Sequence, residues 1–133
     1  MSAPYIWHNT KLSPMSIQQI ADRLVELSRK QESTTAYREL FAADASSHEM
    51  PGVPGGDLRG LDKLIAKSQA YDEGMTVHGI EVTDPLVYRQ YFSVGMGIDV
   101  TRADGTRSQE HEMCVYEVRD GKIVSERFIY AMG

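Results

Sequence analysis

Two Asp-Gly turns in the last third of the chain constrain its fold more than any other feature. They lie in "ADGT" (103–106) and "RDGK" (119–122), and each separates two runs in which apolar and polar residues alternate. Asp-Gly between alternating runs is a strong hairpin signal, because the turn needs residues that tolerate positive φ. The predicted long strands are residues 85–102, a run ending at Arg119, and residues 122–131.

The first half of the chain has helical spacing instead. Its first helix begins either at Ser13 with Pro14 or at a capping box of Ser16 and Gln19. The apolar stripe that identifies this helix, with spacings of three and four, consists of Ile17, Ile20, Ala21, Leu24 and Leu27.

Two shorter helices and one short strand are predicted between this helix and the hairpins. Ser33 or Thr34 caps a second helix, antiparallel to the first, and a third helix runs from Leu61 to Tyr71 and ends at Gly74. The segment "SSHEM" predicts a short strand. The following "PGVPGGDLRG" is rich in glycine and proline and predicts a loop, over the mouth of any cavity.

Helices followed by an antiparallel meander indicate the α+β class. The predicted architecture is a curved antiparallel sheet that curls around three helices as a half-barrel, which leaves a cavity at the open end. At 133 residues, the chain is predicted to be a single domain (1–133) with an N-terminal arm over 1–12.

Composition excludes several classes of function. The net charge of -5 argues against a nucleic-acid footprint, and no basic cluster suits phosphates or an anionic membrane. No apolar run approaches the roughly 20 residues of a membrane helix. The start lacks the pattern of a secretory signal, and the single cysteine, Cys114, excludes an internal disulfide. We predict a cytoplasmic location.

Three stretches together resemble the SnoaL-like domains of the nuclear-transport-factor-2-like superfamily. They are "YRELFAADASSHEMPG", "LRGLDKLIAK" and "VYEVRDGKIVSERFIY", within a resemblance over about residues 14–131. The resemblance implies a cone-shaped α+β barrel with an apolar pocket, and a dimer through the sheet. Relatives include polyketide cyclases, steroid isomerases, dehydratases, epoxide hydrolases and non-catalytic binding modules, so the fold does not select an activity.

Three residues are candidates for chemistry on a carbonyl compound. Glu112 approximately fits the inward acidic position that the resemblance implies, and a carboxyl inside an apolar cone has a raised pKa that suits acid–base catalysis near neutral pH. His48 is the alternative, because imidazole exchanges protons at physiological pH. Tyr130 would donate its hydroxyl to the carbonyl oxygen and stabilise an enolate.

Four further residues are predicted to bind the ligand. One of the neighbours His48 and Glu49 must face inward if they lie in a strand, because successive side chains alternate. Glu126 is predicted to have a structural role or to lie at a dimer surface. The predicted ligand-binding residues are Glu49, Tyr116, Phe92 and Met96.

Two hypotheses for the function follow. His8, His78 and His111 lack metal-ligand spacing, and no phosphate or dinucleotide motif is present, so we predict no metal and no cofactor. The first hypothesis is an isomerase, cyclase or dehydratase that acts on a small hydrophobic carbonyl compound by cofactor-free acid–base catalysis. The second is a non-catalytic module that binds a ligand or only forms a homodimer. The expected partners are a small hydrophobic molecule and a second copy of the chain, with no nucleic acid and no membrane.

Overall fold

A computed structural model describes residues 15–131, which form three helices and a curved, unclosed sheet of seven strands. The predicted N-terminal arm and the Ser13–Pro14 start lie outside the described residues. The elements are α1 (Ile17–Arg29), α2 (Ser33–Leu40), β1 (Phe41–His48), β2 (Asp57–Arg59), α3 (Leu61–Asp72), β3 (Thr76–Val82), β4 (Leu86–Tyr88), β5 (Tyr91–Thr101), β6 (Arg107–Arg119) and β7 (Lys122–Ile129).

The sheet confirms the predicted α+β class and adds one parallel pair. The strand order is β2-β1-β7-β6-β5-β3, with β4 paired to β5. All neighbours are antiparallel except β1 and β7, so the sheet is mixed. In sequence, β2 and α3 lie between β1 and the meander of β3 to β7, and the last strand of the meander, β7, pairs with β1 in parallel.

The single strand predicted over 85–102 is wrong, because this segment is a hairpin of the short strand β4 and the long strand β5. Tyr88 pairs directly with Tyr91, and the two-residue turn is Arg89-Gln90, with Arg89 at φ 52°. A non-glycine residue in this left-handed region is uncommon. The pattern analysis missed the turn because it contains neither glycine nor asparagine.

Segment 41–59 also differs from the prediction. The strand expected in "SSHEM" begins earlier, at Phe41, and runs for eight residues, directly after α2. Part of the predicted loop forms β2, which pairs with the end of β1, opposite Ser46, Ser47 and His48. Small alternating residues in "FAADASSH" carry little strand signal, so the extended conformation depends on pairing with β7.

The start of α1 has the capping box predicted as the second alternative. The Gln19 amide donates to the Ser16 hydroxyl at 3.1 Å, and the Ser16 amide donates to the Gln19 side chain at 2.8 Å. Behind this cap, α1 buries Ile20, Ala21, Leu24, Val25 and Leu27 in a core shared with β5, β6 and α3.

Removing the cap should destabilise the fold measurably. Ser16→Ala deletes the acceptor for one helix-terminal amide and is expected to lower the free energy of unfolding by about 1 kcal/mol. Gln18→Ala, on the exposed face of the same turn, is the control and should change it by less than about 0.5 kcal/mol. Urea denaturation of both variants tests this. Equal losses would show that the capping box does not stabilise α1.

Candidate active site

A cavity of about 1240 Å³ lies between the concave face of the sheet and the helices. Alternation along each strand decides which side chains reach it. On β5, β6 and the C-terminal end of β7 the even-numbered residues face inward. The polar groups of this wall are Glu49, Lys67, Glu110, Glu112, Glu126 and Tyr130, and the apolar ones include Phe41, Ile80, Met96, Ile98, Tyr116 and Phe128.

Glu112 lies on the inner face of β6, opposite Met96 of β5. Burial raises the pKa of its carboxyl to about 7, and the negative charge of Glu49 adds to this effect. No lysine, arginine or histidine nitrogen of residues 15–131 lies within ion-pair distance of Glu112. A carboxyl with this pKa exists in both protonation states near neutral pH, as a general acid–base group must.

Glu49 also faces the cavity, and two neighbours hold its carboxylate. The Tyr130 hydroxyl donates to Glu49 Oε1 at 2.7 Å, and the Lys67 ammonium donates to Oε2. Lys67 lies over the ring of Phe128, 5.2 Å from its centroid. The ammonium uses one of its three donors on Glu49, so the others are available to a ligand oxygen. The sequence reasoning missed Lys67, although its place on the inner side of α3 follows from helical spacing with Leu64.

Glu126 is the most deeply buried carboxyl of the site, with 3% of its surface exposed. The Tyr37 hydroxyl of α2 donates to Glu126 Oε2 at 2.7 Å. Burial raises the pKa of Glu126 to about 7, although the hydrogen bond from Tyr37 opposes this. The sequence predicted a structural role for Glu126 or a place at a dimer surface. The second alternative is wrong, because this carboxyl is buried and lines the cavity. Its parity with Phe128 and Tyr130 was the available signal.

Three aromatic rings, those of Tyr37, Phe41 and Tyr116, form a wall beside Glu126. The part of the cavity that these residues line is called its inner end. The rings of Tyr37 and Phe41 have centroids 4.7 Å apart, and Tyr116 meets Phe41 edge-on at 6.3 Å. Phe92, predicted to bind the ligand, stacks behind Tyr116 at 4.7 Å, is 1% exposed and does not line the cavity. That expectation is therefore corrected: Phe92 supports Tyr116 from the core.

His48 lies outside the cavity, contrary to the expectation of a catalytic role. Alternation along β1 directs Ser47 and Glu49 inward and His48 to the other face. There its Nδ1 lies 2.8 Å from Asp57 Oδ1 and its Nε2 lies 3.0 Å from the Ser46 hydroxyl. These contacts tie β1 to β2. The inward member of the predicted pair is Glu49.

At the cavity mouth, Glu110 is held as an anion. Arg102 donates to both of its oxygens at 2.8 Å, and the hydroxyl of Tyr71 donates at 2.7 Å. Although burial acts to raise its pKa, these hydrogen bonds lower the pKa of Glu110 overall. Arg102 also stacks on the Tyr71 ring, 4.4 Å from its centroid. Glu110 and Glu112 thus share one strand face but differ in charge state, because only Glu110 has a cationic partner.

Cys114 is a free thiol on the same strand, fully buried beside Glu112. Burial and the neighbouring carboxyl raise its pKa well above the ordinary range for a thiol. We expect no reaction with 5,5′-dithiobis(2-nitrobenzoic acid) in the native state and one equivalent of thiol after denaturation in guanidinium. Rapid labelling of the native protein would contradict this burial.

Within residues 15–131, no three histidine, cysteine, aspartate or glutamate side chains cluster as metal ligands. The same part of the chain contains no helix with the length and apolar character needed to cross a bilayer.

Comparison with solved structures gives a relative from Mesorhizobium loti with substantial sequence identity. This SnoaL-like protein, which carries the designations polyketide cyclase and carbohydrate phosphatase, is 34% identical, with a TM-score of 0.82 over 87% of this chain and 100% of its own. A search of curated proteins gives no match.

More distant structures share the fold alone. An epoxide hydrolase of M. tuberculosis is 15% identical, with a TM-score of 0.64 over 84% of this chain and 83% of its own. A protein of Catenulispora acidiphila DSM 44928 with a ketosteroid isomerase-like fold is 15% identical, with a TM-score of 0.68 over 86% of each chain. The family model of the SnoaL-like domain matches residues 15–130. The chain therefore belongs to the SnoaL-like domain family.

Proposed function

We propose that the protein is an isomerase, cyclase or dehydratase that moves a proton next to the carbonyl of a small, largely apolar compound, with Glu112 as the general base and acid. The observation that carries the proposal is the half-buried Glu112 carboxyl, which faces a large cavity, has a pKa of about 7 and lacks a cationic partner. Of the two designations of the Mesorhizobium loti relative, polyketide cyclase supports the same reaction class.

The proposed step needs only groups of this chain. The Glu112 carboxylate takes a proton from the carbon next to the carbonyl, and the electron pair of the C–H bond moves to the carbonyl oxygen. An N–H of Lys67 stabilises the resulting enolate, in the way that an oxyanion hole does. Glu112 then returns the proton to the same or another carbon. No cofactor takes part.

Tyr130 has a positioning role in this proposal. Its hydroxyl already donates to Glu49, so Tyr130 acts on the reaction through Glu49 and Lys67. Burial raises the pKa of Glu112, and the negative charge of the neighbouring Glu49, which Tyr130 and Lys67 hold in place, adds to this effect. The predicted ligand-binding residues Tyr116 and Met96 supply apolar wall.

Hydrogen exchange tests the proposal without knowledge of the natural substrate. The probe is 2-tetralone, an apolar ketone with acidic α-protons, incubated with the protein in D₂O near neutral pD and followed by proton NMR. We expect saturable exchange above the buffer rate. Binding of the ketone without accelerated exchange would favour the alternative, a non-catalytic ligand-binding module.

We also propose a homodimer through the outer face of the sheet and retain the predicted cytoplasmic location, with which the free thiol of Cys114 is compatible. Met113 of β6 and Ile129 of β7 lie side by side on that face as a cross-strand pair of apolar side chains, 46% and 45% exposed. Such exposed apolar pairs are typical of interfaces.

Light scattering tests the dimer. The wild-type protein is expected to have twice the chain mass at micromolar concentration, and Met113→Glu is expected to give monomers, because it places a charge in the interface. Leu86→Glu, at another exposed apolar position, is the matched control and should leave the mass unchanged. A monomeric wild-type protein would contradict the proposed dimer.

A further inference from the structure

The charges around the cavity do not balance. Lys67 is the only lysine or arginine that lines it in the described part of the chain, and Glu49 already pairs with Lys67. Glu110 pairs with Arg102. Glu112 and Glu126 have no cationic partner among residues 15–131. Buried carboxylates are normally paired, because an isolated buried charge is costly.

The inner end of the cavity has the composition of a site for a positively charged nitrogen. The rings of Tyr37, Phe41 and Tyr116 form one connected wall, with centroid separations of 4.7 and 6.3 Å, and the Glu126 carboxyl lies within this wall. Aromatic faces attract ammonium groups through their quadrupoles, and this attraction is strongest where water is excluded. A carboxyl among three rings therefore favours a cation over a neutral group of the same shape.

Ser47 supports Glu126 from behind the cavity wall. It is fully buried, does not line the cavity, and lies directly opposite Glu126 in the parallel pairing of β1 and β7. Its hydroxyl acts on the Glu126 carboxyl and lowers the pKa of that group. Ser47 and Tyr37 therefore both favour the charged form of Glu126, which a bound ammonium needs.

We propose that the ligand of this cavity carries an organic ammonium group, which occupies the inner end between Glu126 and the rings of Tyr37, Phe41 and Tyr116. This inference rests on the proposed function for the placement of the reacting carbonyl, which lies towards Glu112 and Lys67. It deepens that function by giving the substrate class: a compound with a carbonyl near one end and a cationic nitrogen at the other. The unpaired carboxyls disfavour a carboxylate group of the ligand at this end of the cavity.

The test compares two probes that differ in charge and hardly in shape, choline and 3,3-dimethylbutan-1-ol. Isothermal titration calorimetry on the full chain at pH 8 is expected to give choline a dissociation constant at least about tenfold lower, because cation–π contact and the facing carboxylate add to the same apolar burial. Equal affinities, tighter binding of the alcohol, or no binding of either probe would overturn the proposal.

Two variants assign the preference to the inner end. Glu126→Gln should bring the two dissociation constants within about twofold of each other, and Phe41→Leu should weaken choline while changing the alcohol little. Retention of the full choline preference in both variants would overturn the proposed location. Circular dichroism and thermal melting establish that each variant is folded. The comparison of the two probes on the wild-type protein does not depend on the variants.

Glu112→Gln separates this proposal from the proposed function. It should abolish ketone exchange and leave the choline preference intact, since Glu112 is not part of the aromatic wall. If the wild-type protein exchanges 2-tetralone but does not prefer choline, the ammonium site is wrong and the proposed function stands. If the wild-type protein prefers choline but does not accelerate the exchange of 2-tetralone protons, the proposed proton transfer is wrong and the ammonium site stands.

Discussion

Glu112→Gln is expected to lower the rate of α-proton exchange from 2-tetralone by about 10²–10⁴-fold, the usual contribution of a positioned general base. The amide has nearly the same shape and makes the same apolar contacts, but it cannot accept a proton from carbon. In the wild-type protein the rate should rise with pH through about 7, because the reactive form is the carboxylate and the pKa of Glu112 is raised to about 7. Proton NMR in D₂O gives both measurements.

Glu117→Gln is the matched control for this variant. Glu117 lies on the same strand, has 23% of its side chain exposed, and faces the opposite side, where it pairs with Arg119. We expect exchange in Glu117→Gln within about twofold of the wild-type rate. Full activity in Glu112→Gln would remove Glu112 from the mechanism. An equal loss in both variants would indicate an effect of charge or folding instead of chemistry.

The protein is expected to become less stable as the pH rises from 5 to 8. Both Glu112 and Glu126 have pKa values of about 7 when folded, above the ordinary value of 4.5 that they regain on unfolding. The folded state therefore holds more protons between pH 4.5 and 7, so the stability present below pH 4.5 is lost as the pH rises through 7. One such group corresponds to about 3 kcal/mol, and we expect a total loss of at least about 2 kcal/mol.

The groups facing these two carboxyls set the size of the effect. Glu126 faces Tyr37 of α2, Ser47 of β1, Lys67 of α3 and Glu112 of β6. The first three favour its charged form, and Glu112 opposes it. Carboxyls with lowered pKa values, such as Glu110, titrate below pH 4.5 and leave this window unaffected.

Urea denaturation at pH 5, 6, 7 and 8 measures the loss of stability. Glu126→Gln should flatten the dependence and make the protein more stable than wild type at pH 8, since the glutamine keeps an oxygen that can accept from Tyr37. Glu126→Ala does not replace this variant, because the cavity that it leaves would lower the free energy of unfolding in addition to removing the charge. A wild-type protein that is equally stable at pH 5 and pH 8 would contradict the raised pKa values.

The sequence predicted those parts of the fold that local chemistry determines. The Asp-Gly turns stand at the tips of the β5–β6 and β6–β7 hairpins, and both glycines have positive φ. The capping box of Ser16 was readable because its residues have a fixed spacing. The turn at Arg89 and the long β1 strand were not readable, because the pairing of distant segments imposes them against weak local preference.

The same distinction holds for the site. Alternation grouped Glu110, Glu112 and Tyr116 on one face of β6 but did not decide which face lines the cavity, and the inward position of Glu112 was implied by the family resemblance. Alternation also required one of His48 and Glu49 to face inward, but the choice depended on a strand register that only pairing with β2 and β7 decides. The burial of Glu126 and its contact with Tyr37 join residues 89 positions apart, which no local pattern reports.

The proposed chemistry requires that Glu112 projects into the cavity and titrates near neutral pH. Carbon-13 NMR of the side-chain carboxyls, with Glu112 assigned by the signal lost in Glu112→Gln, measures this directly. The expected midpoint for Glu112 is about 7. A midpoint at the ordinary value of 4.5 would show a solvated carboxylate and contradict the proposed chemistry.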